Sequence, residues 1–571
     1  MSPFLVFFGL VVLHFSIFVN AGCKSTPGSD GWPTDEQWAV FNETLGGQLI
    51  KPTPPGAVCH PDQPTYNSAA DWSTFPFHRN DPVSTAANNA NNDTCLPDTE
   101  YTCSPLGYPA YVVNATTAEH VAAGVIFAGL NNIRLVVKAT GHDYLGRNSA
   151  PNALSIWTRN LQGITFDDSF QPTNCSSAIV ASALTTAAGQ TMAELYKASD
   201  ANNLTIVGGM GEGVGIGGYI TGSGHSPLST SYGMAADNLL ELTLATPSGD
   251  IITANECQNT DYFYAFRGGG GGTFGVLLTA TIKTYPTPAI NMITLTVSSY
   301  TGPTDDYWSA MTYILTQFPT LSDSYISGYP YLIPTYPVSA TASISTYSAR
   351  FLDHLSGFND TSKISALFDP IISHITTTWP SLTISNSTTS YPNMYLNFLA
   401  NYDTSAAGTD KFIGSRLLGA DVLSGNTTAL NTALRGVSQG AEFGTFLLGG
   451  QGVADAQPRG GSDAVNPAWR SALAHVVADL SFAPQNETAK EEASALMDNK
   501  VQYLRDLAPD SGAYINEAFI NEPSWQTAFW GSNYAQLAQI KKSVDLNDVF
   551  WCHPCVGNEG WEEVGDSLCT V

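Results

Sequence analysis

Nine glycines fall within the eighteen residues from Val207 to Gly224, VGGMGEGVGIGGYITGSG, at positions 208, 209, 211, 213, 215, 217, 218, 222 and 224. Ordering so many residues without side chains costs more conformational entropy than any other composition, so the segment is either a flexible linker or is held against something that needs bare backbone. The interleaved Val214, Ile216, Tyr219 and Ile220 suit a packed segment, with a ligand against the peptide. The pattern is not the strand-GxGxxG-helix fingerprint with a following acid, which disfavours a nicotinamide-type Rossmann site.

Two further loops share this character. Lys138-Ala139-Thr140-Gly141-His142-Asp143-Tyr144-Leu145-Gly146 places small residues before a histidine, so its amides can approach an anion. A lone loop histidine is ordinarily a solvated or hydrogen-bonded side chain. The third, Phe266-Arg267-Gly268 to Gly272-Thr273-Phe274-Gly275-Val276, is a five-glycine run that enters an apolar strand.

Around these loops the texture is α+β. Thr34 with Gln37 reads as a capping box ahead of Trp38, Phe41 and Leu45 on one helix face. Thr116 and Glu119 read as the cap of a helix that buries Val121, Val125 and Ile126 and leads into a strand at Ile133 to Val137. A strand at Ala178 to Ala183, a helix from Thr191 to about Ala201 and a strand at Leu204 to Val207 follow. Leu239 to Ala245 and Asp250 to Ala254 flank Pro247-Ser248-Gly249 as a hairpin. Residues 22–104 form a loop-rich extension and 105–288 a first body. Residues 289–501 form a second body with an antiparallel sheet covered by helices, including strands at Asn291 to Tyr300 and Thr341 to Arg350. Residues 502–571 form a closing segment with one amphipathic helix carrying Phe529, Trp530, Tyr534, Leu537 and Ile540 inward.

At 571 residues, with 43% hydrophobic and 12% charged residues, the chain is globular and has more than one domain. A net charge of -27 repels phosphate backbones, so nucleic acid is excluded as a partner. The apolar run ending at Val19-Asn20-Ala21 reads as a signal peptide cleaved near Ala21, and the run is short for a retained membrane anchor. Glycan acceptor triplets begin at Asn42, Asn92, Asn114, Asn174, Asn203, Asn359, Asn386, Asn426 and Asn486, which suits a secreted chain with no membrane attachment after cleavage. Nine cysteines permit disulfides and leave at least one unpaired. Cys552-His553-Pro554-Cys555 resembles a redox dithiol, but in an oxidising compartment each cysteine reads as part of a structural bridge. No metal site follows from it.

The three loops in this order, with Ser231-Tyr232-Gly233-Met234-Ala235-Ala236-Asp237-Asn238 and a late Tyr514-Ile515-Asn516-Glu517, resemble the berberine-bridge-enzyme-like branch of the vanillyl-alcohol-oxidase superfamily. Gly222-Ser223-Gly224-His225-Ser226-Pro227-Leu228 and the ending Phe550-Trp551-Cys552 with Cys555-Val556-Gly557 resemble its fungal secreted, isoamyl-alcohol-oxidase-like subgroup. The resemblance implies a PCMH-type, two-subdomain FAD-binding domain at 105–288, a substrate domain at 289–501 and a closing segment that returns to the FAD domain. It implies FAD bonded to His142. Lys138, Ala139, Thr140, Gly141, Asp143, Tyr144, Gly146, Gly208, Gly209, Met210, Gly211, Val214, Gly215, Gly217, Gly218, Tyr219, Gly222, Val276, Tyr514 and Asn516 would surround the cofactor. Gly211 stands where many relatives attach a second bond through cysteine, so a single attachment is expected.

Glu517 replaces the tyrosine that several members use as base. It is a candidate base if burial raises its pKa, and otherwise a carboxylate paired with an amide or an arginine. His225 and Asn516 are the other candidate catalytic residues, and Tyr219 is expected to pack on or hydrogen-bond to the flavin ring. The implied reaction is hydride transfer from a small alcohol to flavin, then to molecular oxygen, releasing hydrogen peroxide. The alternatives are an oxidative cyclase or dehydrogenase of secondary metabolism, and a flavin-binding protein without turnover.

Overall fold

The structure, a computed structural model, describes residues 22–88, 92–176, 181–339 and 342–571, without the side chains of 336–342. The expected signal peptide lies outside the described residues, as do positions 178–180 of the strand expected at Ala178 to Ala183; the strand found there is Ala183–Ala187.

Local signals in the amino-terminal third set the first layer. Thr34 and Gln37 close a reciprocal capping box on helix Asp35–Thr44. Its buried Trp38 stacks on Tyr111 at 4.0 Å between centroids, which fastens the extension to the body. Strand Leu49–Ile50 then pairs antiparallel with Tyr111–Asn114, in a four-stranded sheet whose Leu154–Trp157 runs parallel to both Tyr111–Asn114 and Leu135–Lys138. The helix Ala118–Leu130 is capped by Thr117, one residue later than expected. Val121, Val125 and Ala128 form its buried stripe. Ile126 lies about 100° off that stripe and is 43% exposed, covering the turn at Gly249 instead of entering the core.

A second, five-stranded antiparallel sheet runs in the order Ile164–Asp167, Ala183–Ala187, Val276–Lys283, Leu239–Ala245, Ile251–Asn255. The last two strands are the hairpin expected around Pro247-Ser248-Gly249. The five-glycine run enters the central strand Val276–Lys283.

The remaining large sheet has eight strands, every pairing antiparallel, ordered across its width as Thr383–Tyr391, Ile290–Ser299, Ala342–Asp353, Ser327–Gly328, Phe443–Leu447, Ala472–Ser481 and Lys411–Gly419, with Tyr331–Ser339 alongside. Strand periodicity splits its faces. Ile293, Leu295, Val297, Tyr347, Ala349, Phe351, Ala474, Val476 and Ala478 bury against helices Asp305–Thr316, Ser362–Thr378, Thr427–Ser438 and Glu487–Leu507. Met292, Arg350, Phe446 and His475 alternate with them and point to the other face. Helix Glu487–Leu507 continues past position 501 without a break. The closing amphipathic helix is two helices, Trp525–Trp530 and Tyr534–Val544, broken at Gly531, whose φ of +52° no L side chain readily adopts.

Four disulfides close, Cys23–Cys569, Cys95–Cys103, Cys175–Cys257 and Cys552–Cys555, leaving Cys59 free. The first joins the two ends of the described chain. Lys541 adds a buried tie: its Nζ donates to Asp545 Oδ2 at 2.6 Å, Thr273 O at 2.9 Å and Phe550 O at 2.7 Å, linking the last helix to the end of the glycine run. No described helix is long and apolar enough to cross a membrane.

Candidate active site

One cavity of about 680 Å³ lies between the large sheet and the glycine loops, within the range of small-molecule and cofactor sites. The strand Leu135–Lys138 delivers the first loop to it, and Ala139, Thr140, Gly141, His142, Asp143 and Tyr144 line it. The second loop adds Gly209, Met210, Gly211, Val214, Gly215, Gly217, Gly218, Tyr219 and His225, and the third adds Gly270, Gly271, Gly272 and Val276. Tyr514, Asn516 and Glu517 close the wall from the carboxyl-terminal segment.

Four expected positions do not line it. Lys138 points to the opposite side of its strand from Val137, as period-2 alternation requires, and its buried Nζ donates to Asp81 O at 2.8 Å and His78 O at 3.2 Å. It anchors the extension, and burial pulls its pKa to about 7. Gly146 donates its amide to Asp143 O and serves the turn. Gly208 accepts the Tyr196 hydroxyl at 2.6 Å, and a Cβ there would meet that hydroxyl at 2.9 Å. A Cβ on Gly222 would lie 2.1 Å from Asn516 Nδ2, so this glycine makes room for the asparagine and not for a ligand.

Tyr219 differs from expectation in its hydroxyl, which is committed to His225 O at 2.8 Å and Val207 O at 3.2 Å; it ties the two ends of the glycine segment together. Only its ring faces the cavity.

His142 stacks on Phe75 from the extension, 3.9 Å between centroids and 15° between planes. Its Nε2 is buried without a partner beside Gly213, and burial pulls its pKa down to about 4. The ring is therefore held as a neutral imidazole. Asp143 pairs with Arg147 at 2.6 Å, and Arg147 Nη2 also donates to Asn516 Oδ1 at 3.1 Å, binding the first loop to the last motif. Asn516 Nδ2 donates to Gly218 O and to Tyr514 Oη, both at 3.0 Å, which joins the second loop to the same knot.

Glu517 sits between two imidazoles: His225 Nε2 is 3.1 Å from Oε1 and His475 Nε2 is 2.8 Å from Oε2. Burial alone would push the Glu517 pKa up, but the two histidines hold it well below the ordinary carboxylate range. The condition under which Glu517 was expected to act, a raised pKa, is thus reversed, and its partners are histidines, not an amide or an arginine. Burial lowers the His475 pKa, against the opposing pull of Glu517.

Sequence reasoning missed His475, Arg147, Tyr329 and Phe446. A signal for His475 was present: it interrupts the apolar run of strand Ala472–Ser481, ALAHVVADLS, where an isoleucine or valine would ordinarily stand.

Residues 109–255 match the FAD binding domain family, and residues 513–557 match the berberine and berberine-like family. Over 570 residues, 97% of this chain and 95% of the relative, the chain is 33% identical to the FAD-linked oxidoreductase patO of Aspergillus clavatus. The chain is an FAD-linked oxidoreductase of the berberine-bridge-enzyme-like, VAO-type flavoprotein family. This flavoprotein is also 30% identical to the VAO-type flavoprotein oxidase VAO615 of Thermothelomyces thermophilus over 95% of its own length and 94% of the relative's. A solved VAO-type flavoprotein from Myceliophthora thermophila superposes with a TM-score of 0.87 at 28% identity, covering 96% of this chain and all of that one.

The flavoprotein's own residues fit the cofactor. Gly218 has open space where a Cβ would sit, and the glycines of three loops line the cavity with backbone alone. The unpartnered His142 Nε2 and Arg147 Nη1 lie buried at the same wall.

Proposed function

We propose that this flavoprotein is a secreted oxidase of small alcohols that holds FAD covalently through His142, with one attachment because Gly211 offers no side chain. Within the fungal secreted group, the isoamyl-alcohol-oxidase-like stretch from Gly222 to Leu228 carries His225, which lines the cavity beside Glu517. Bound FAD supplies a two-electron acceptor, and oxygen as the final acceptor gives hydrogen peroxide.

The observation that carries the reading is the Glu517 carboxylate facing the cavity between two imidazoles. Proton removal from a substrate hydroxyl needs an acceptor within hydrogen-bond reach, and Glu517 keeps a lone pair toward the cavity while His225 and His475 fix its two oxygens. His475 is wholly buried and acts through Glu517, so it is a positioning residue. A fixed carboxylate orients the hydroxyl and takes its proton as the adjacent C–H bond breaks.

Peroxide release from flavin-loaded protein with a panel of primary alcohols tests this. Reduction of the flavin without reoxidation by air would make the protein a dehydrogenase or cyclase, and no reduction by any donor would leave a flavin-binding protein.

Secretion has its own test in the glycan map. Asn386 stands exposed on strand Thr383–Tyr391, and Asn359 is exposed in a turn. Asn114 is half-buried, its Nδ2 donating to Gln48 Oε1 at 2.7 Å and its Oδ1 accepting from Asn160 at 2.5 Å. Mass spectrometry of the secreted protein is expected to find glycans at Asn359 and Asn386 and an unmodified Asn114. Unmodified asparagine at every triplet would count against a secretory route.

A further inference from the structure

Cross-strand register places four side chains in one row on the cavity side of the large sheet, of which Phe446, Tyr329 and Arg350 line the cavity and His475 lies buried behind Glu517. His475 pairs with Phe446, and the Gly328–Leu447 pairing puts Phe446 opposite Tyr329. Tyr329 in turn donates its backbone N–H to Arg350 O at 3.1 Å. Three strand spacings of about 4.8 Å separate the ends, so the Cα atoms of His475 and Arg350 stand on the order of 14 Å apart. The His475 end holds Glu517 and His225. The Arg350 end opens to solvent and holds an exposed guanidinium that lines the cavity and, among the described residues, makes no ion pair and no side-chain hydrogen bond. Between them lie aromatic rings, with Tyr329 and Tyr331 packed edge-on to Phe446 at 5.1 and 5.2 Å.

The free guanidinium stands out in a chain of net charge -27. The other arginine lining the cavity, Arg147, is held by Asp143 and Asn516. The carboxylates of Glu442 and Asp403 also line the cavity, and Arg350 is paired with neither. The Tyr329 hydroxyl, in the middle of the row, is buried and has no partner. Burial raises its pKa well above that of a free phenol, so it offers a donated hydrogen bond and no negative charge.

We infer that the substrate is a planar carbinol carrying a carboxylate across the ring from the carbon that is oxidised, with the ring against Tyr329 and Phe446 and the carboxylate on Arg350. This rests on the alcohol-oxidase reading for its carbinol end, but not for its anionic end. The carboxylates of Glu442, Asp403 and Glu517 repel an anion from the rest of the cavity, so Arg350, the one arginine among the described lining residues without an ion pair, sets the direction in which the molecule lies. Arg350 is then a specificity residue: it selects acid over neutral analogue and takes no part in bond breaking.

The test uses the flavin-loaded protein and two probes with no hydroxyl to oxidise, 4-methylbenzoate and its methyl ester, with binding read from the shift they cause in flavin absorbance. At low salt the acid is expected to bind about tenfold more tightly than the ester, as one charge-assisted contact supplies. Arg350→Gln is expected to bring the ratio to about one, Arg350→Lys to keep part of it, and added salt to shrink it in the unaltered protein. An ester that binds as well as the acid overturns the inference. So does a ratio that survives Arg350→Gln, absence of binding by either probe at millimolar concentration, or loss of flavin from Arg350→Gln, which would assign the arginine to the cofactor. Arg350-dependent binding of the acid in a protein that releases no peroxide from any alcohol would leave this inference standing and the oxidase reading fallen. Peroxide release without any preference for acids would do the reverse.

Discussion

Acid precipitation of the purified protein is expected to leave the yellow colour in the pellet, and His142→Ala to move all of it to the supernatant. The imidazole suits bond formation in that it is stacked on Phe75 and burial keeps it neutral. Alanine removes the nitrogen but leaves the glycine walls and the Arg147–Asn516 knot, so the variant is expected to bind flavin reversibly and not to lose its fold. A carbon-to-nitrogen bond at the ring should also raise the flavin's reduction potential. The variant's midpoint, read by equilibration with a reference dye, is therefore expected to fall, and each 30 mV changes the equilibrium of a two-electron oxidation about tenfold. Colour that stays in the pellet of His142→Ala would show attachment elsewhere and remove the covalent assignment.

Glu517→Gln is expected to lower kcat by about 10²- to 10⁴-fold, the span that positioned proton transfer contributes. Flavin content should change little, since the amide keeps the shape. The pH profile separates a base from a mere spacer. The folded-state pKa of Glu517 is depressed, so the carboxylate is ionised above that low value and becomes protonated only as the pH falls through it. The acid limb of kcat/KM should accordingly lie below the ordinary carboxylate range in the unaltered protein, and His475→Ala, which removes one donor, should move it upward. A carboxylate held this low is a weak base at neutral pH, and the mismatch narrows in an acidic medium. An unshifted limb in His475→Ala would deny the histidine its positioning role, and a kcat unchanged by Glu517→Gln would remove Glu517 from the chemistry.

Much of the cofactor wall was legible in the chain because it is local. Contiguous glycines, small residues before His142 and the entry of Gly268 to Gly272 into a strand are visible without partners, and all three loops reach the cavity. The same holds for the capping box at Thr34, where the bonding groups lie three residues apart. Where a one-residue choice mattered, local reading slipped. Thr117, not Thr116, caps its helix, and Lys138 faces away from the loop that begins beside it.

By itself the order of residues determined the loops that face a flavin, the antiparallel character of the second body and the family resemblance, since each rests on neighbours along the chain. Tertiary structure alone decided that Glu517 lies between His225 and His475, 292 and 42 residues distant, and that Arg350, Tyr329, Phe446 and His475 share a row. Strand register between remote segments sets those contacts, and a shift of one residue would turn each of these side chains to the helix-covered face. The Glu517 pKa follows the same rule: burial and two distant donors act in opposite directions on one carboxylate, and only their arrangement in space settles which prevails.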